Sequence, residues 1–314
     1  MTKLPPVEKF PLAVRKNIRD KWDSQKDQFA KDLSELLGTE WAIEVDLPQV
    51  FAYAESGTWS YDSFGSSVAE HVRGGIGRLR DFIERYDAET VNEINTICHA
   101  HILTLDVDEE SRFDCGGADV LDGKLRILFA PEKLNSNIGD AFKEERLLKA
   151  FNDAPPPAGD EKPLSFITRL FKRIKYDAKI EEIRTQIGEA LNKPDIKLTP
   201  NFEDTYAKLK VESQAKDNRL DQKHWEEHIP DWTFRYFKGF LGSIKWQHFD
   251  TDDMLQEGFN EAVDKGEIAF RIVDTTKSGT SEFAIEDGVF YLQVTARNWG
   301  SNIDDAARGI VDKL

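Results

Sequence analysis

The sequence predicts an α+β fold that is built twice in tandem, and three observations support this prediction. The segment DGKLRILFAPEKLNSNIGDA, residues 122–141, recurs without a gap as DGVFYLQVTARNWGSNIDDA at residues 287–306. In both halves a helical stripe of apolar residues is followed by short runs with the alternation typical of half-buried strands. A stretch rich in proline and charge separates the halves. This order is typical of a duplicated domain.

The repeat sets the expected domain boundaries. Seven of the twenty aligned residues are identical, where unrelated stretches would share roughly one. A chain of 314 residues also has room for two domains of ordinary size. The segment DAPPPAGDEKP cannot form a helix or a central strand. We therefore expect a first α+β repeat at 1–152, a linker at 153–163 and a second α+β repeat at 164–314.

Each repeat begins with a predicted helix and a strand. The apolar residues that mark the helical faces are Ile18, Trp22, Phe29, Leu33 and Leu36 in the first half and Ile180, Ile183, Ile187 and Leu191 in the second. Gly38 is a natural end of the first helix, and Asn192 follows the second stripe. The alternating runs WAIEVDL and DIKLTPN come next and predict half-buried strands.

The middle of each repeat is marked by aromatic residues and a further strand. Trp59 in the first half and Trp232 in the second each open an aromatic segment compatible with a helix. The runs HILTLDVD and EIAFRIVD then precede the repeated motif as strands. Each repeat is therefore expected to contain a helix, two strands, one or two helices, a three-stranded meander and a final helix. Mainly antiparallel sheets covered by helices follow from this order.

The repeated motif itself is expected to be structural. An Asp-Gly pair between apolar runs predicts a two-residue type I′ hairpin, because both positions need positive φ. Asn137 and Asn302 are expected to cap a helix, with Asp140 and Asp305 in its first turn. The apolar residues behind each motif predict that this final helix is amphipathic.

The net charge and the hydropathy of the sequence argue against two classes of partner, nucleic acids and membranes. A formal charge of −16 argues against nucleic acid, because affinity for phosphate comes from clustered lysine and arginine. The sequence shows neither a signal peptide nor a window apolar enough to span a membrane. These features predict a soluble, acidic, cytoplasmic protein. The two cysteines, Cys98 and Cys115, leave the question of a disulfide open.

One short motif offers an alternative function. Residues His224 to His228 match the pattern H-x-x-E-H. On a helix, His224 and His228 could bind zinc while Glu227 activates a water molecule, as in a zinc-dependent hydrolase. Against this, Pro230 is expected to end the helix, and a third ligand with a supporting motif is missing from the sequence downstream. Zinc is therefore expected only if the chain is a hydrolase. The preferred interpretation, a binding protein, includes no cofactor.

The aromatic segment 225–249 is the preferred binding region. Its candidate binding residues are Trp225, Trp232, Tyr236, Phe240 and Trp246. Helical spacing gives an apolar face wide enough for a helix buried in a core, and this is the competing interpretation. The sequence thus predicts a non-catalytic binding or assembly protein. Its partner would be a small apolar ligand, another protein or a second copy of the chain, held at this surface or between the domains.

Overall fold

The chain folds into two compact α+β units. The computed structural model describes residues 3–86, 88–155 and 164–314. The first unit is Met1–Glu161 and the second is Lys162–Leu314. Most of the predicted linker 153–163 lies outside the described residues. Within the described ranges, none of the helices combines the length and the apolar character needed to cross a membrane.

The first unit places most of its helices before the last three strands of its sheet. Its elements in chain order are α1 (Leu12–Asn17), a π-helical segment (Ile18–Asp23), α2 (Ser24–Leu37), β1 (Ala42–Glu44), α3 (Leu47–Phe51), α4 (Trp59–Asp62), α5 (Phe64–Arg85), α6 (Ala88–Ile97), β2 (Ile102–Val107), β3 (Gly116–Leu121), β4 (Lys124–Phe129), a 3-10 turn (Ile138–Asp140) and α7 (Glu144–Asp153).

The second unit follows a similar order. Its elements are α8 (Phe166–Phe171), a π-helical segment (Lys172–Asp177), α9 (Ala178–Ala190), β5 (Lys197–Thr199), α10 (Phe202–Ser213), α11 (Trp225–Trp246), α12 (Asp253–Ala262), β6 (Glu267–Val273), β7 (Glu282–Glu286), β8 (Val289–Thr295) and 3-10 turns at Ala296–Asn298, Ile303–Asp305 and Val311–Lys313.

The first helical region of each unit buries most of the predicted stripe, and Leu36 and Ile180 are only partly buried. Ile18, Trp22, Phe29 and Leu33 are all buried, and the helix ends at Gly38 with a φ of 66°. A left-handed residue at this position is the usual way to end a helix, and glycine adopts it without strain. A π-helical segment interrupts the helix in both units, 154 positions apart, which the sequence pattern did not indicate.

The sheets are mixed, and the predicted antiparallel meander is wrong. The strand order is β1-β2-β4-β3 in the first unit and β5-β6-β8-β7 in the second. In each sheet the first two pairings are parallel, and the outer hairpin is antiparallel. Leu103 lies opposite Leu125, and Ile268 lies opposite Phe290 in the same register. Alternation identifies the buried face of a strand but not the direction of its neighbour, so the sequence pattern left the pairing undetermined.

The predicted hairpin turns are confirmed. Asp122 and Gly123 have φ values of 51° and 71°, and Asp287 and Gly288 have values of 49° and 75°. Positive φ at both central residues is the type I′ geometry, whose twist matches that of the flanking strands. The repeated Asp-Gly pair is therefore explained by its turn.

The second part of the motif forms a different structure from the predicted helix cap. Asn137 and Asn302 are themselves left-handed, with φ values of 52° and 51°. Asparagine tolerates this conformation, and here it starts a three-residue 3-10 turn instead of capping a helix. In the first unit a helix begins only at Glu144. In the described second unit the chain continues beyond Asp305 in turns, so the predicted final helix is wrong there.

A spacing of 165 positions relates the two units from the helix before the central strand to the 3-10 turn, whereas the π-helical segments are 154 positions apart. Helices α6 and α12 lie 165 positions apart at both ends, as do the 3-10 turns at Ile138 and Ile303. Gly74 of α5 lies near Ile138, and Gly239 of α11 lies near Ile303, again with this spacing. The predicted pairing of Trp59 with Trp232 departs from it, since those residues are 173 positions apart.

Candidate functional site

Three of the five predicted binding aromatics lie in the core of the second unit. Trp225, Tyr236 and Phe240 are buried. The ring of Phe240 packs between Phe259 and Phe290, with centroid distances of 6.1 and 5.0 Å. These side chains hold α11 against the sheet and α12, as the competing interpretation expected.

Trp232 is held by its neighbours. Its ring stacks on His228 at 4.7 Å with an interplanar angle of 5°, and it lies 4.3 Å from the ring of Trp299. Gly300, at φ 82°, lies directly beneath it, and a Cβ atom there would come within 1.9 Å of the Trp232 ring. Only a glycine fits under the indole, so Trp232 is packed in place.

Trp246 is the predicted residue that reaches solvent. It is the last residue of α11, and 75% of its surface is exposed. A large exposed aromatic side chain loses the stabilisation that burial would provide, and such residues are enriched where proteins bind partners. The surface around Trp246 is therefore a candidate binding site.

A groove runs beside Trp246, and we call it the α11 groove. Its volume is about 1010 Å³. One wall is α11, and the other is the segment 300–308. Its lining residues include Phe234, Lys238, Gly242, Trp246 and Asp304.

Two glycines of α11 shape the groove in different ways. A Cβ atom on Gly239 would lie 3.1 Å from the Asp304 Cα, so this glycine lets the helix approach the opposite wall closely. A Cβ atom on Gly242 would meet no atom within 4 Å in the described structure. Gly242 therefore faces open space and widens the floor of the groove.

The rim of the α11 groove carries both charges. Asp231 pairs with Arg235 at 2.9 Å and Asp305 with Arg308 at 3.9 Å, so these four largely satisfy each other. Lys238 has no carboxylate within 4.0 Å among the described residues, and the carboxylate of Asp304 likewise has no cation there. One cation and one anion are thus free to meet a partner.

The imidazole rings of His224 and His228 lie 6.4 Å apart, and each is close to a carboxylate. His224 precedes α11 as its N-cap residue. Its Nδ1 lies 3.2 Å from Oε1 of Glu227, and the Nε2 of His228 lies 3.9 Å from Oδ2 of Asp221. The described part of the chain contains no group of three or more His, Cys, Asp or Glu side chains that could hold a metal ion.

Pro230 lies within α11, so the expectation that the helix ends there is wrong. Because proline has no N–H, the carbonyl of Glu226 loses its partner four residues ahead. The hydroxyl of Thr168 donates to that carbonyl at 3.1 Å. A side chain from α8 thus replaces the missing hydrogen bond, a long-range contact that local sequence does not reveal.

The cysteines of the first unit are free thiols. Cys98 is buried, and burial raises the pKa of its thiol, whereas Cys115 is only partly buried. A raised pKa keeps the Cys98 thiol protonated and unreactive.

Several residues of the groove escaped the sequence analysis. Lys238 and Gly242 belong to no motif, and Asp304 lies in the repeated motif without having been singled out as a binding residue. Gly242 and Asp304 line the same groove only because the fold brings together residues about sixty positions apart in the chain. The signal available in the sequence was the glycine pair of α11, which recurs at Gly74 and Gly77.

Comparison of the chain with protein-family models, with curated proteins and with solved structures finds no match.

Proposed function

We propose that the chain is a binding protein made of two units related by tandem duplication, and that the second unit recognises a segment of a partner protein in the α11 groove. The common spacing of 165 positions, the shared strand order and the paired π-helical segments support the duplication. The exposure of Trp246 beside an open groove is the observation that carries the binding function.

The chemistry of the groove favours a protein segment over a small apolar ligand. Pockets for small ligands are mostly apolar and enclose most of the ligand surface. The α11 groove instead combines two aromatic residues, Phe234 and Trp246, with a free cation and a free anion on its rim. Protein interfaces pair aromatic anchors with a polar rim in this way.

The two units differ at the positions that correspond to Trp246 and its neighbour Ser243 in the α11 groove. At the spacing of 165 positions, Asp81 takes the place of Trp246, and Arg78 takes the place of Ser243. The guanidinium of Arg78 lies 3.8 Å from the Asp81 carboxylate. The first unit thus has a surface ion pair where the second has an exposed indole, so we assign the binding role to the second unit.

Affinity capture with a matched control tests this function. The immobilised wild-type chain, Trp246→Ala and Met254→Ala are incubated with an extract of the cells that make the protein. Met254 is 77% exposed and lies on α12, so it controls for the loss of an exposed apolar side chain. We expect a protein that the wild type and Met254→Ala retain and Trp246→Ala loses. The same set of proteins on all three would contradict the proposal.

A further inference from the structure

The exposed side of α11 carries a cation, a glycine and an indole at equal spacing. Lys238, Gly242 and Trp246 follow one another at intervals of four residues. Because an α-helix turns once in 3.6 residues, the three positions lie within about 80° of one another, along about 12 Å of the helix. All three are exposed to solvent. We call these three residues the α11 face.

The equivalent face of the first unit is satisfied by its own side chains. At the spacing of 165 positions, Arg73, Gly77 and Asp81 of α5 take the three places. Arg73 pairs with Glu70, and Asp81 pairs with Arg78. The charged groups of this face therefore have partners within the unit.

The α11 face lacks such partners in the second unit. Lys238 has no carboxylate within 4.0 Å among the described residues, and 75% of the Trp246 surface is exposed. An ammonium group and the face of an indole ring attract each other. On one helix the two residues are about 12 Å apart, too far for these groups to be in contact within one copy. The α11 face thus carries both halves of an interaction that a second copy would complete.

Gly242 allows another helix to approach the centre of the α11 face. A Cβ atom there would meet no atom within 4 Å in the described structure. The distance between packed helices depends on the side chains at their contact, and glycine has none to hold a second helix away. The midpoint between Lys238 and Trp246 is therefore the place where two helices can cross most closely.

We propose that two copies of the chain form a symmetric dimer in which their α11 helices cross antiparallel at Gly242. A twofold axis beside Gly242 places each residue after it opposite the residue equally far before it in the second copy. Lys238 of each copy then meets Trp246 of the other, and the cation–π contact is made twice. This inference rests on the proposed function, because it identifies the partner of the α11 groove as a second copy.

Sedimentation equilibrium of the full chain tests the dimer. The interface is small, so we expect a dissociation constant of about 10–100 µM. Trp246→Ala and Lys238→Glu should each raise it at least about tenfold, because every substitution removes the contact twice. Lys238→Arg keeps the cation and should keep the dimer. Val211→Ala is the control for loss of an exposed apolar side chain, since Val211 is 72% exposed and lies on α10.

A disulfide locates the twofold axis. In a chain whose partly buried Cys115 is replaced by serine, Gly242→Cys should give covalent dimers under mild oxidation, because a residue beside the axis faces itself. Lys245→Cys is the matched control on the same helix. Its two copies would lie about 9 Å apart along the helices, beyond the reach of a disulfide.

Three results would overturn the dimer: a monomeric wild type up to about 500 µM, well above the expected dissociation constant, an unchanged dimer in Trp246→Ala or Lys238→Glu, or equal cross-linking through positions 242 and 245. A monomeric wild type that captures a different protein through Trp246 would overturn this inference alone and leave the proposed function in place. A monomeric wild type that captures nothing through Trp246 would contradict both.

Discussion

Asn95 and Asn260 make the same hydrogen bond in the two units. The Nδ2 of Asn95 donates to the Leu37 carbonyl at 2.8 Å, and the Nδ2 of Asn260 donates to the Leu191 carbonyl at 2.9 Å. Each amide therefore ties the helix before the central strand to the end of the first helical region. Asn95 also accepts a hydrogen bond from Trp41 Nε1 at 2.9 Å.

We expect Asn95→Ala and Asn260→Ala each to lower the free energy of unfolding by about 1–3 kcal/mol, because a carbonyl loses its donor. The loss at Asn95 should be the larger, since Trp41 loses a partner too. Urea unfolding of the variants measures the effect. Asn92→Ala is the control, because Asn92 lies on the same helix and bonds Glu89 at the surface. If all three variants unfold with the same free energy, the claim that Asn95 and Asn260 make equivalent stabilising hydrogen bonds is contradicted.

His71 should make the stability of the first unit depend on pH. Burial lowers the pKa of His71 to about 4, despite its hydrogen bond to the Leu134 carbonyl. In the unfolded chain its pKa is about 6.5. Between these values the unfolded state binds more protons, so stability is full above pH 6.5 and falls as the pH is lowered.

From pH 7 to pH 5 this contribution amounts to a loss of about 2 kcal/mol. Urea unfolding of the wild type and of His71→Gln at both pH values isolates the contribution of His71 to this loss. A variant with the same pH dependence as the wild type would show that His71 is not the cause.

The two glycines of the α11 groove should respond differently to alanine. Gly239→Ala should lower the free energy of unfolding by about 1–3 kcal/mol, because its methyl group would press on the Asp304 backbone. Gly242→Ala meets open space and should raise it by about 0.5–1 kcal/mol, since alanine favours a helix. Thermal unfolding of the pair measures both effects. Similar destabilisation by the two substitutions would mean that Gly242 does not face a groove.

Zinc analysis tests the alternative function. Protein purified without a histidine tag should contain far less than one zinc per chain, and His224→Ala should contain the same amount. The basis is geometric, because His224 lies before the helix and faces Glu227. One bound zinc per chain that disappears in His224→Ala would favour a metal-dependent hydrolase over a binding protein.

The sequence predicted those features that depend on local chemistry. The Asp-Gly turns follow from the demand for positive φ, and the buried stripe of the first helix follows from its period. The sequence could not predict the parallel pairing of β2 with β4, because the contacts that decide it lie far apart in the chain. Pro230 shows the same limit, since its place inside α11 depends on Thr168.

The binding site was predicted only in part. Helical spacing placed Trp232, Tyr236 and Phe240 on one helix, with Trp246 in the same aromatic segment, but spacing does not tell which of these side chains the rest of the fold covers. Trp232 is covered by Trp299 and Gly300, and Tyr236 by the sheet, which leaves Trp246. The opposite wall of the groove comes from the repeated motif. Its turns are enough to explain why the motif recurs, so the recurrence gave no sign that the motif also lines a groove.

The affinity of the captured partner for the wild-type chain, Trp246→Ala and Met254→Ala tests the central claim most directly. Isothermal titration calorimetry with the purified partner gives the three dissociation constants. The account predicts that Trp246→Ala weakens binding about 30-fold, as expected for an aromatic anchor, and that Met254→Ala leaves it unchanged. Equal affinity of all three proteins would contradict it, and so would an equal loss in both variants.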